Sequence, residues 1–421
     1  MSSNRWREVQ LKEVIQFNPK ESIKKGEISK KIGMEKLNTF QRKIEGFELI
    51  EFNGGMKFRN GDTLLARITP CLENGKTAQV SILNKDEVGF GSTEFVVLRE
   101  VLGLTINDFI YYLSISPEIR NISIKSMTGT TGRQRAQIDI IQNTMVSLPP
   151  IREQKSISSI LSALDDKIEL NNLMNKVLEQ IAQAIFKQWF VDFEFPDDNG
   201  DPYKSSGGAM EWCEELERNI PRGWKITQLS EIIAVKDGTH DSPKKSEIGF
   251  PLITSKHLKL NRIDFSDANL INEQDYIKIN ERSKVDRFDI LISMIGTIGT
   301  LYLVQDRIID FAIKNIGLFK TSEKESIYEY VYLHLKSEFV TNHINERLAG
   351  STQQYISLGE LRKIPVIIPH DELLINFKCT VNCLISRINS NSLLNHTLTN
   401  LRDTILPKLM SGEIDVSQVE L

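Results

Sequence analysis

Basic and amide side chains are concentrated in the loop-like segments of this 421-residue chain. Lysine offers a point charge to a phosphate, whereas arginine and glutamine offer paired hydrogen bonds to guanine or adenine edges. In the first half these residues are Lys24, Lys25, Lys30, Lys31, Arg42, Arg67, Lys76, Arg133, Gln134 and Arg135. In the second half the candidates are Thr239, His240, Lys244, Lys245, Lys256, His257, Thr352, Gln353, Gln354 and Tyr355. They predict an interface for double-stranded DNA, although charged loop residues are more often simply solvated.

Two of these segments stand at the same place ahead of an apolar run that ends in proline. Residues 133–135 (RQR) precede the Leu-Pro at 148–149, and residues 353–355 (QQY) precede the Ile-Pro at 368–369. A shared frame with different side chains is expected if two halves of one molecule contact different bases.

The frame is shared because the chain repeats itself with a shift of about 220 residues. Beyond the prolines, the apolar positions agree one for one, and Trp6 near the start matches Trp224. The matched positions are Leu164, Ile168, Leu178, Ile181, Ile185 and Trp189 against Leu384, Ile388, Leu398, Leu401, Ile405 and Leu409. A duplicated unit predicts one molecule that presents the same kind of surface twice.

The motifs of catalysis and metal binding are missing from the sequence. Residues 148–151 (LPPI) lack the leading amide or acid and the aromatic residue of a base-flipping methyltransferase loop. Residues 129–132 (GTTG) and 296–299 (GTIG) form neither a dinucleotide fingerprint nor a P-loop. Glu94 lacks the nearby lysine of a nuclease core. We therefore expect no catalytic residue, no metal ligand and no cofactor in this chain.

Composition narrows the class of protein further. The formal net charge is −4, with an excess of four positive charges over residues 1–150, one over 221–369, and seven negative charges over 191–220. Four cysteines without a Cys-x-x-Cys pair indicate a reducing compartment. The sequence has no apolar run of the roughly 20 residues that a membrane span needs. These features predict a cytoplasmic protein with no membrane partner.

Each half opens with short apolar runs typical of strands, at 63–68 and 95–98 in the first half and at 290–295 and 316–319 in the second. Apolar residues at three- and four-residue spacing then predict helices over 107–122 and 327–348. The fold class is therefore α/β (α+β), with two mixed lobes related by a pseudo-twofold internal repeat.

A very long helix is predicted after each lobe, over residues 151–190 and 371–410. Each would be roughly 58 Å long, too long to lie inside a lobe, so we expect the two to pack as an antiparallel coiled coil between the lobes. The predicted seam consists of Leu161, Leu164, Ile168, Asn171, Leu178, Ile181 and Ile185 with Leu384, Ile388, Asn391, Leu398, Leu401 and Ile405. Asn171 and Asn391 either fix the register of the seam, or point to solvent at a place where the seam shifts around the helix.

These elements divide the chain into six parts. The two lobes are residues 1–150 and 221–369, and the two helices are residues 151–190 and 370–412. Residues 191–220 form an acidic connector whose aromatic residues predict a strap packed on a domain, and 413–421 form a tail.

Several motifs make the chain similar to the specificity subunits of Type I restriction-modification systems. They are residues 148–154 (LPPIREQ), 186–193 (FKQWFVDF), 221–224 (PRGW), 236–243 (KDGTHDSP) and 406–414 (LPKLMSGEI). The second half departs from the first motif at 369–373 (PHDEL). The resemblance implies two target-recognition domains alternating with two helical regions conserved in that family.

The same resemblance implies a subunit that is not an enzyme. Adenine methylation with S-adenosylmethionine would belong to modification subunits, typically two. Translocation and cleavage with ATP and Mg²⁺ would belong to restriction subunits. We expect each lobe to recognise one half of a bipartite DNA target, while the helices set the spacing and dock the modification subunits. Two alternatives remain at this point: a coiled-coil scaffold that binds only protein, and a stand-alone methyltransferase.

Overall fold

The computed structural model describes residues 6–350 and 352–419. The chain forms two compact units. One combines residues up to Leu170 with those from Leu394 onward, and the other spans Asn171–Leu393. Lobe 1 denotes the strands and short helices before residue 150, and lobe 2 those between residues 221 and 369.

From residue 6 onward, lobe 1 contains ten short strands and four short α-helices. The strands are β1 (Arg7–Gln10), β2 (Ile15–Phe17), β3 (Ile28–Ile32), β4 (Glu48–Glu51), β5 (Met56–Phe58), β6 (Thr63–Ala66), β7 (Thr77–Gln79), β8 (Gly89–Gly91), β9 (Phe95–Glu100) and β10 (Met145–Leu148). The helices are α1 (Leu11–Val14), α2 (Asn107–Ile115), α3 (Pro117–Lys125) and α4 (Ile138–Gln142). The long helix α5 (Ile151–Phe190) follows.

Two four-stranded sheets form the body of lobe 1, in the orders β2-β9-β6-β7 and β4-β3-β8-β5. Strand β6 is buried along its whole length and pairs antiparallel with β9, Thr63 opposite Leu98. A buried carboxylate precedes β6: Asp62 accepts hydrogen bonds from the Arg99 guanidinium at 2.7 Å. This ion pair ties the start of β6 to the adjacent strand.

The remaining elements belong to the connector, to lobe 2 and to the second long helix. The strands are β11 (Met210–Cys213), β12 (Arg218–Pro221), β13 (Lys225–Gln228), β14 (Val235–Asp237), β15 (Phe250–Ile253), β16 (Leu258–Lys259), β17 (Arg262–Ile263), β18 (Asn269–Ile271), β19 (Ile290–Ser293), β20 (Leu301–Leu303), β21 (Ala312–Ile313), β22 (Ile316–Phe319) and β23 (Pro365–Ile368). The helices are α6 (Leu229–Ile232), α7 (Glu273–Ser283), α8 (Tyr328–Leu335), α9 (Glu338–Asn345), α10 (Leu358–Arg362) and the long α11 (Asp371–Met410).

The main sheet of lobe 2 has the order β14-β22-β19-β20. Its central strands β19 and β22 are fully buried and antiparallel, with Ile290 opposite Phe319. A buried carboxylate again precedes the central strand, because Asp289 accepts a hydrogen bond from Lys320 Nζ at 2.6 Å. Both lobes are thus sheet-rich, mixed α/β structures, as the sequence predicted.

The predicted helices over 107–122 and 327–348 are each two helices rather than one. Ser116 ends α2 and begins α3, where its hydroxyl accepts a hydrogen bond from the Ile119 N–H. Ser337 does the same for α9, accepting from the Val340 N–H. A serine that caps a new helix cannot also continue the previous one, so the periodic pattern hid a break.

The two long helices pack antiparallel within each unit. In the first unit, Asp165 of α5 faces Arg402 of α11 with 2.8 Å between carboxylate and guanidinium. In the second, Asn391 Nδ2 of α11 lies 2.8 Å from Asn175 Oδ1 of α5. Asn395 Nδ2 also lies 3.5 Å from Ile168 O in the first unit, and the rings of Phe377 and Phe186 are 6.2 Å apart in the second. Within each unit, residue numbers therefore rise along one helix as they fall along the other, which defines the antiparallel direction.

The buried face of each long helix repeats every seven residues. On α5 the first series of buried or half-buried positions is Gln154, Leu161, Ile168, Asn175, Ala182 and Trp189. On α11 it is Leu374, Val381, Ile388, Asn395, Arg402 and Leu409. The second series contains the predicted Leu164, Asn171, Leu178, Ile185, Leu384, Asn391, Leu398 and Ile405, all of which are buried or half-buried.

This face corrects two of the predicted seam residues. Ile181 and Leu401 are 43% and 46% exposed, and the buried positions beside them are Ala182 and Arg402. The apolar pattern favoured the leucine over the arginine, but Arg402 is paired with a buried carboxylate and can therefore lie inside. Asn171 and Asn391 are 0% and 2% exposed, which excludes the solvent-facing alternative for both.

The connector, residues 191–220, packs on lobe 2 through aromatic stacking. Phe195 lies between the rings of Tyr203 and Trp224, with centroid distances of 4.5 and 5.2 Å. Phe193 contacts Trp224 edge-on at 5.6 Å. The predicted strap is therefore present, with the hairpin β11–β12 at its end, although Trp212 remains exposed.

Candidate nucleic-acid interface

In lobe 1 two of the predicted arginines converge on one carboxylate. Arg135 donates from Nε and Nη2 to the Glu94 carboxylate at 2.6–3.0 Å. Arg67 donates from Nε to Glu94 Oε2 at 3.2 Å. Glu94 immediately precedes β9, Arg67 immediately follows β6, and Arg135 lies on the loop between α3 and α4. Three segments distant in sequence thus form one charged cluster.

Backbone hydrogen bonds hold these segments in place. The Ala136 N–H donates to Arg67 O at 2.8 Å, and the Thr69 N–H donates to Gln134 O at 3.0 Å. Thr128 and Arg135 exchange two backbone hydrogen bonds at 2.9 and 3.1 Å. The loop that carries Arg135 is therefore an extension of the sheet rather than a free segment.

The hydrogen bonds from Arg135 hold the pKa of Glu94 below its ordinary value, with a smaller contribution from Arg67. The carboxylate is therefore charged at neutral pH, and the cluster of two guanidinium groups carries one net positive charge. The Arg135 side chain is 46% exposed and that of Glu94 19%. The outer edge of Arg135 is thus open to a ligand, while the edge facing Glu94 is occupied.

The other predicted residues of lobe 1 that face solvent are Lys24, Lys25 and Arg133. Lys31 is partly exposed and lies 3.9 Å from Glu48. Gln134 is half-buried beside Arg135. Arg133, Gln134 and Arg135 thus lie on one loop, and the structure brings Arg67 to it.

Three predicted contacts of lobe 1 are instead engaged inside the protein. Arg42 forms ion pairs with Asp166 and Glu169 of α5, and only 12% of its side chain is exposed. Lys30 is buried, lies 3.0 Å from Glu87 and donates to a backbone carbonyl. Lys76 donates to Met34 O at 2.9 Å. The prediction of Arg42 and Lys30 as surface cations is therefore wrong. The charge of Lys30 is neutralised by Glu87 within lobe 1, and that of Arg42 by two carboxylates of α5.

In lobe 2 the loop after β14 forms the corresponding polar cluster. His240 Nδ1 lies 2.8 Å from Asn315 Oδ1, and its Nε2 lies 2.9 Å from Asp237 Oδ2. Asp237 is buried and also receives the Arg282 guanidinium from α7. Asn315 immediately precedes β22, as Glu94 precedes β9, and both strands stand second in the order of their sheets.

Neighbouring candidates in lobe 2 divide into exposed and engaged residues. Lys244 and Lys245 are exposed, and Thr239 is partly exposed. Lys256 is exposed but lies 2.6 Å from Asp267. His257 is 2% exposed, and its Nδ1 accepts a hydrogen bond from the Thr254 N–H at 2.8 Å. Burial lowers the pKa of His257, and the expectation of a surface histidine there is corrected.

The loop before α10 carries the last predicted set. Thr352, Gln353, Gln354 and Tyr355 are all exposed, while Ser351 lies outside the described residues. Tyr355 exchanges two backbone hydrogen bonds with Ala349 at 2.9 Å, and it bridges to Ile295 beyond β19. This loop is therefore anchored to the end of a central strand, as the Arg135 loop is in lobe 1.

Sequence reasoning missed the residues that organise both clusters. Glu94 was considered only for nuclease chemistry, and Asp237 was named only as part of the motif at 236–243. Asn315 and Arg282 were not singled out. The available signal is positional: Glu94 and Asn315 are polar residues directly ahead of an apolar strand.

Residues 6–350 and 352–419 contain no group of three histidine, cysteine, aspartate or glutamate side chains arranged to hold a metal ion. Over the same residues, no helix is both long enough and apolar enough to cross a membrane.

An apolar stripe on α5 remains uncovered in the second unit. Leu173, Val177 and Ile181 are 60%, 45% and 43% exposed, although they lie at the spacing of one helix face. They point away from the face that contains Asn175 and Ala182, which is buried against the rest of the unit. Such a stripe is typical of a surface that another helix covers.

Comparison with known proteins gives one consistent result. The family model described as "Type I restriction modification DNA specificity domain" matches residues 4–180 and, separately, residues 221–373. The Type I restriction enzyme MjaIX specificity subunit of Methanocaldococcus jannaschii is 27% identical over 327 residues, covering 75% of this chain and 70% of the relative. The HindI specificity subunit of Haemophilus influenzae is 25% identical over 418 residues, covering 85% and 87%.

A crystal structure of the S subunit of a Type I restriction-modification system from M. genitalium has a similar fold. Its TM-score is 0.55 at 17% sequence identity, and the match covers 97% of this chain and 98% of that one.

Proposed function

Because the chain belongs to the family of Type I restriction-modification DNA specificity domains, we propose that it is the DNA-recognition subunit of such a system. Each lobe reads one half of a bipartite target in the major groove. The observation that carries this proposal is that the family model matches the chain twice, once over each lobe. A scaffold that binds only protein is not favoured, because the matches extend over the lobes and not only over the long helices.

The arrangement of the lobes supports two related readers rather than one. The sheets β2-β9-β6-β7 and β14-β22-β19-β20 have equivalent strand orders, with β2, β9, β6 and β7 corresponding to β14, β22, β19 and β20. A buried acid at Asp62 or Asp289 precedes the central strand of each. We propose that the lobes are the two copies of an internal repeat. Their loops then differ because each has to recognise a different sequence of bases.

The exposed side chains of the loops are the proposed contacts. In lobe 1 these are Arg135 and Arg133, with Lys24 and Lys25 as phosphate contacts. In lobe 2 the residues 352–355 and the loop around His240 have the corresponding roles. Arginine and glutamine specify bases by paired hydrogen bonds, whereas lysine positions the protein on the backbone.

We further propose that α5 and α11 form a coiled coil whose length sets the unspecified spacer between the two half-sites. The seven-residue repeat of buried positions supports this, since it is the period of a two-helix seam. The exposed stripe of Leu173, Val177 and Ile181 is a docking surface for a modification subunit. Two such subunits are expected, one for each half of the repeat.

The chemistry is assigned to the partners and not to this chain. S-adenosylmethionine would bind to the modification subunits, and ATP and Mg²⁺ to the restriction subunits. The lobes then supply recognition alone.

The test is to determine the methylated motif. The chain is coexpressed with its modification subunits in a strain that lacks adenine methylation, and the genome is read by methylation-aware sequencing. A motif of two specified halves around an unspecified spacer is expected. Replacing lobe 2 by that of a relative should change one half only. A single continuous motif, or no motif, contradicts the proposal.

The role of the helices is tested by lengthening both. Inserting seven residues after Leu173 and seven after Leu393 keeps the seven-residue repeat on each helix. Seven residues add about 10.5 Å, which corresponds to roughly three base pairs of spacer. Lys176→Ala without an insertion is the control, because Lys176 is exposed on α5 and is not part of the stripe, and it should leave the spacer unchanged. An unchanged spacer in the lengthened protein would show that the helices do not set it.

A further inference from the structure

Glu94 stands where an acidic side chain is unfavourable for a DNA-binding protein. It lies in the loop cluster of lobe 1, beside residues that the proposed function places on DNA, and a carboxylate repels phosphates. Among the described residues of this cluster, Glu94 joins Arg67 and Arg135, which come from two other segments. Its presence therefore calls for a reason beyond attraction to DNA.

We propose that Glu94 is a specificity-determining residue of lobe 1, which positions Arg135 to read a guanine. This inference rests on the proposed function, since it assigns a role within the half-site that lobe 1 recognises.

The geometry of the Arg135 side chain supports a guanine contact. Glu94 engages Nε and Nη2, which form one side of the guanidinium group. Within the part of the chain that the structure describes, Nη1 has no protein acceptor. The free edge thus presents parallel N–H groups of Nη1 and Nη2, the pair that matches O6 and N7 of guanine in the major groove.

Fixing Arg135 also reduces the cost of ordering it on DNA. An unrestrained arginine loses rotamer freedom when it binds, whereas Arg135 is held at both ends. Its backbone is paired with Thr128, and its guanidinium group is held by Glu94. Arg67 approaches the same carboxylate from the other side and limits where the carboxylate can move. The ordered side chain then retains more of the binding energy of each hydrogen bond.

The charge of Glu94 contributes to discrimination in a second way. It offsets one of the two positive charges of the cluster, which weakens attraction to phosphates of any sequence. At the correct sequence, the hydrogen bonds between guanine and Arg135 offset this loss of phosphate attraction. An incorrect base forms no such hydrogen bonds, so the loss remains. The carboxylate thus lowers binding to the wrong sequence more than binding to the right one.

The test compares Glu94→Gln with Glu13→Gln in the assembled methyltransferase. Both changes remove one negative charge from lobe 1. Glu13 is exposed in α1, just before β2. The first residue of β2, Ile15, pairs with Glu100 at the end of β9, whereas Glu94 precedes the start of β9. Fluorescence anisotropy then measures the affinity for the DNA duplex of the methylated motif. It also measures duplexes with each base pair of either half-site changed in turn, at several salt concentrations.

For Glu94→Gln we expect a specific loss of discrimination. The penalty for replacing one guanine of the lobe 1 half-site should fall about two- to tenfold, the effect of ordering one long side chain. Affinity for unrelated DNA should rise, with a salt dependence steeper by about one phosphate contact. Discrimination in the lobe 2 half-site should be unchanged, which also shows that the variant is folded. Glu13→Gln should leave the penalty at that guanine unchanged.

A base analogue separates positioning from a structural role. Replacing the guanine by 7-deazaguanine removes the N7 acceptor and should lower the affinity of the wild-type protein for the duplex. The affinity of the Glu94→Gln variant should fall less, and that of the Arg135→Ala variant should not change. Adding Glu94→Gln to Arg135→Ala should cause no further loss of discrimination. Equal losses at every base pair, or a lobe 1 half-site without guanine, overturns the inference. If the wild-type protein recognises no bipartite motif at all, the proposed function fails first.

Discussion

Replacing Arg402 by methionine should destabilise the first unit by much more than the loss of one ion pair on a surface. Arg402 lies on the buried face of α11, and its Nη1 donates to Asp165 Oδ1 at 2.8 Å. The Tyr112 hydroxyl donates to Asp165 Oδ2 at 2.8 Å. Asp165 is 3% exposed and Arg402 5%. Without the guanidinium group, the carboxylate keeps one neutral donor and little access to water.

The expected cost follows from that uncompensated charge. Removing one partner of a buried ion pair destabilises a protein by about 3–5 kcal/mol, because the other charge stays in a medium of low polarity. The double variant Asp165→Asn with Arg402→Met removes both charges and keeps an acceptor for Tyr112. It should lie within about 2 kcal/mol of the wild-type protein. The second substitution is therefore expected to restore stability that the first one removed.

Urea unfolding at neutral pH, followed by circular dichroism, measures these differences. Hydrogen exchange of peptides covering 157–168 should show the same order of stabilities and locate the effect in the first unit. Lys408→Met is the matched control, because Lys408 lies on the same helix as Arg402 and its side chain forms an exposed ion pair with Glu413. This substitution should cost less than about 1 kcal/mol. A loss below about 1 kcal/mol for Arg402→Met, or a double variant less stable than the single one, would refute the reasoning.

Three further perturbations have defined outcomes. Asn391→Ala leaves the buried Asn175 amide without its 2.8 Å hydrogen bond and should cost about 1–3 kcal/mol in urea titrations. Phe190→Ala opens a cavity in an aromatic cluster, so the thermal unfolding temperature should fall by an amount that corresponds to about 3–5 kcal/mol. Burial lowers the pKa of His334 to about 4, so the unfolded chain binds a proton first as the pH falls. Stability should therefore be lost between about pH 6.5 and 4 by about 3 kcal/mol. His334→Gln should lose correspondingly less over that range, and an equal pH dependence of the two proteins would contradict the assignment.

The long helices were the part of the fold that the sequence predicted most closely. The expected bounds of 151–190 and 371–410 agree with α5 and α11 as observed. A seven-residue apolar pattern maintained over 40 residues leaves few alternative structures. Strand positions followed from short apolar runs, and the run at 316–319 agrees with β22.

The composition of the helix interface could not be predicted in the same way. A pattern of apolar residues selects Leu401, but the structure buries Arg402, because the energy of a buried charge depends on a partner 237 residues away in sequence. Asn175 is buried for a similar reason, since its amide is paired with Asn391. Residue type alone does not reveal whether such a partner exists.

The same limit applies to the proposed DNA contacts, where the sequence shows which residues are basic but not which charges are already neutralised. In the sequence alone, Lys30 and Arg42 cannot be distinguished from Arg135 as loop cations. In the structure, Lys30 is paired with Glu87, and Arg42 is paired with Glu169 of α5. Arg135 is also paired, but its partner Glu94 engages only one side of the guanidinium group.

A low net charge is therefore compatible with specific binding to DNA. Several cations of the lobes, among them Lys30, Arg42 and Lys320, form ion pairs within the protein, which reduces the number that attract phosphates of arbitrary sequence. Affinity then depends more on contacts that require a particular base. A Lys24→Ala and Lys25→Ala double variant, which removes two exposed cations of lobe 1, should therefore weaken binding to all duplexes equally. Arg135→Ala should instead weaken binding to the cognate duplex more than binding to other duplexes.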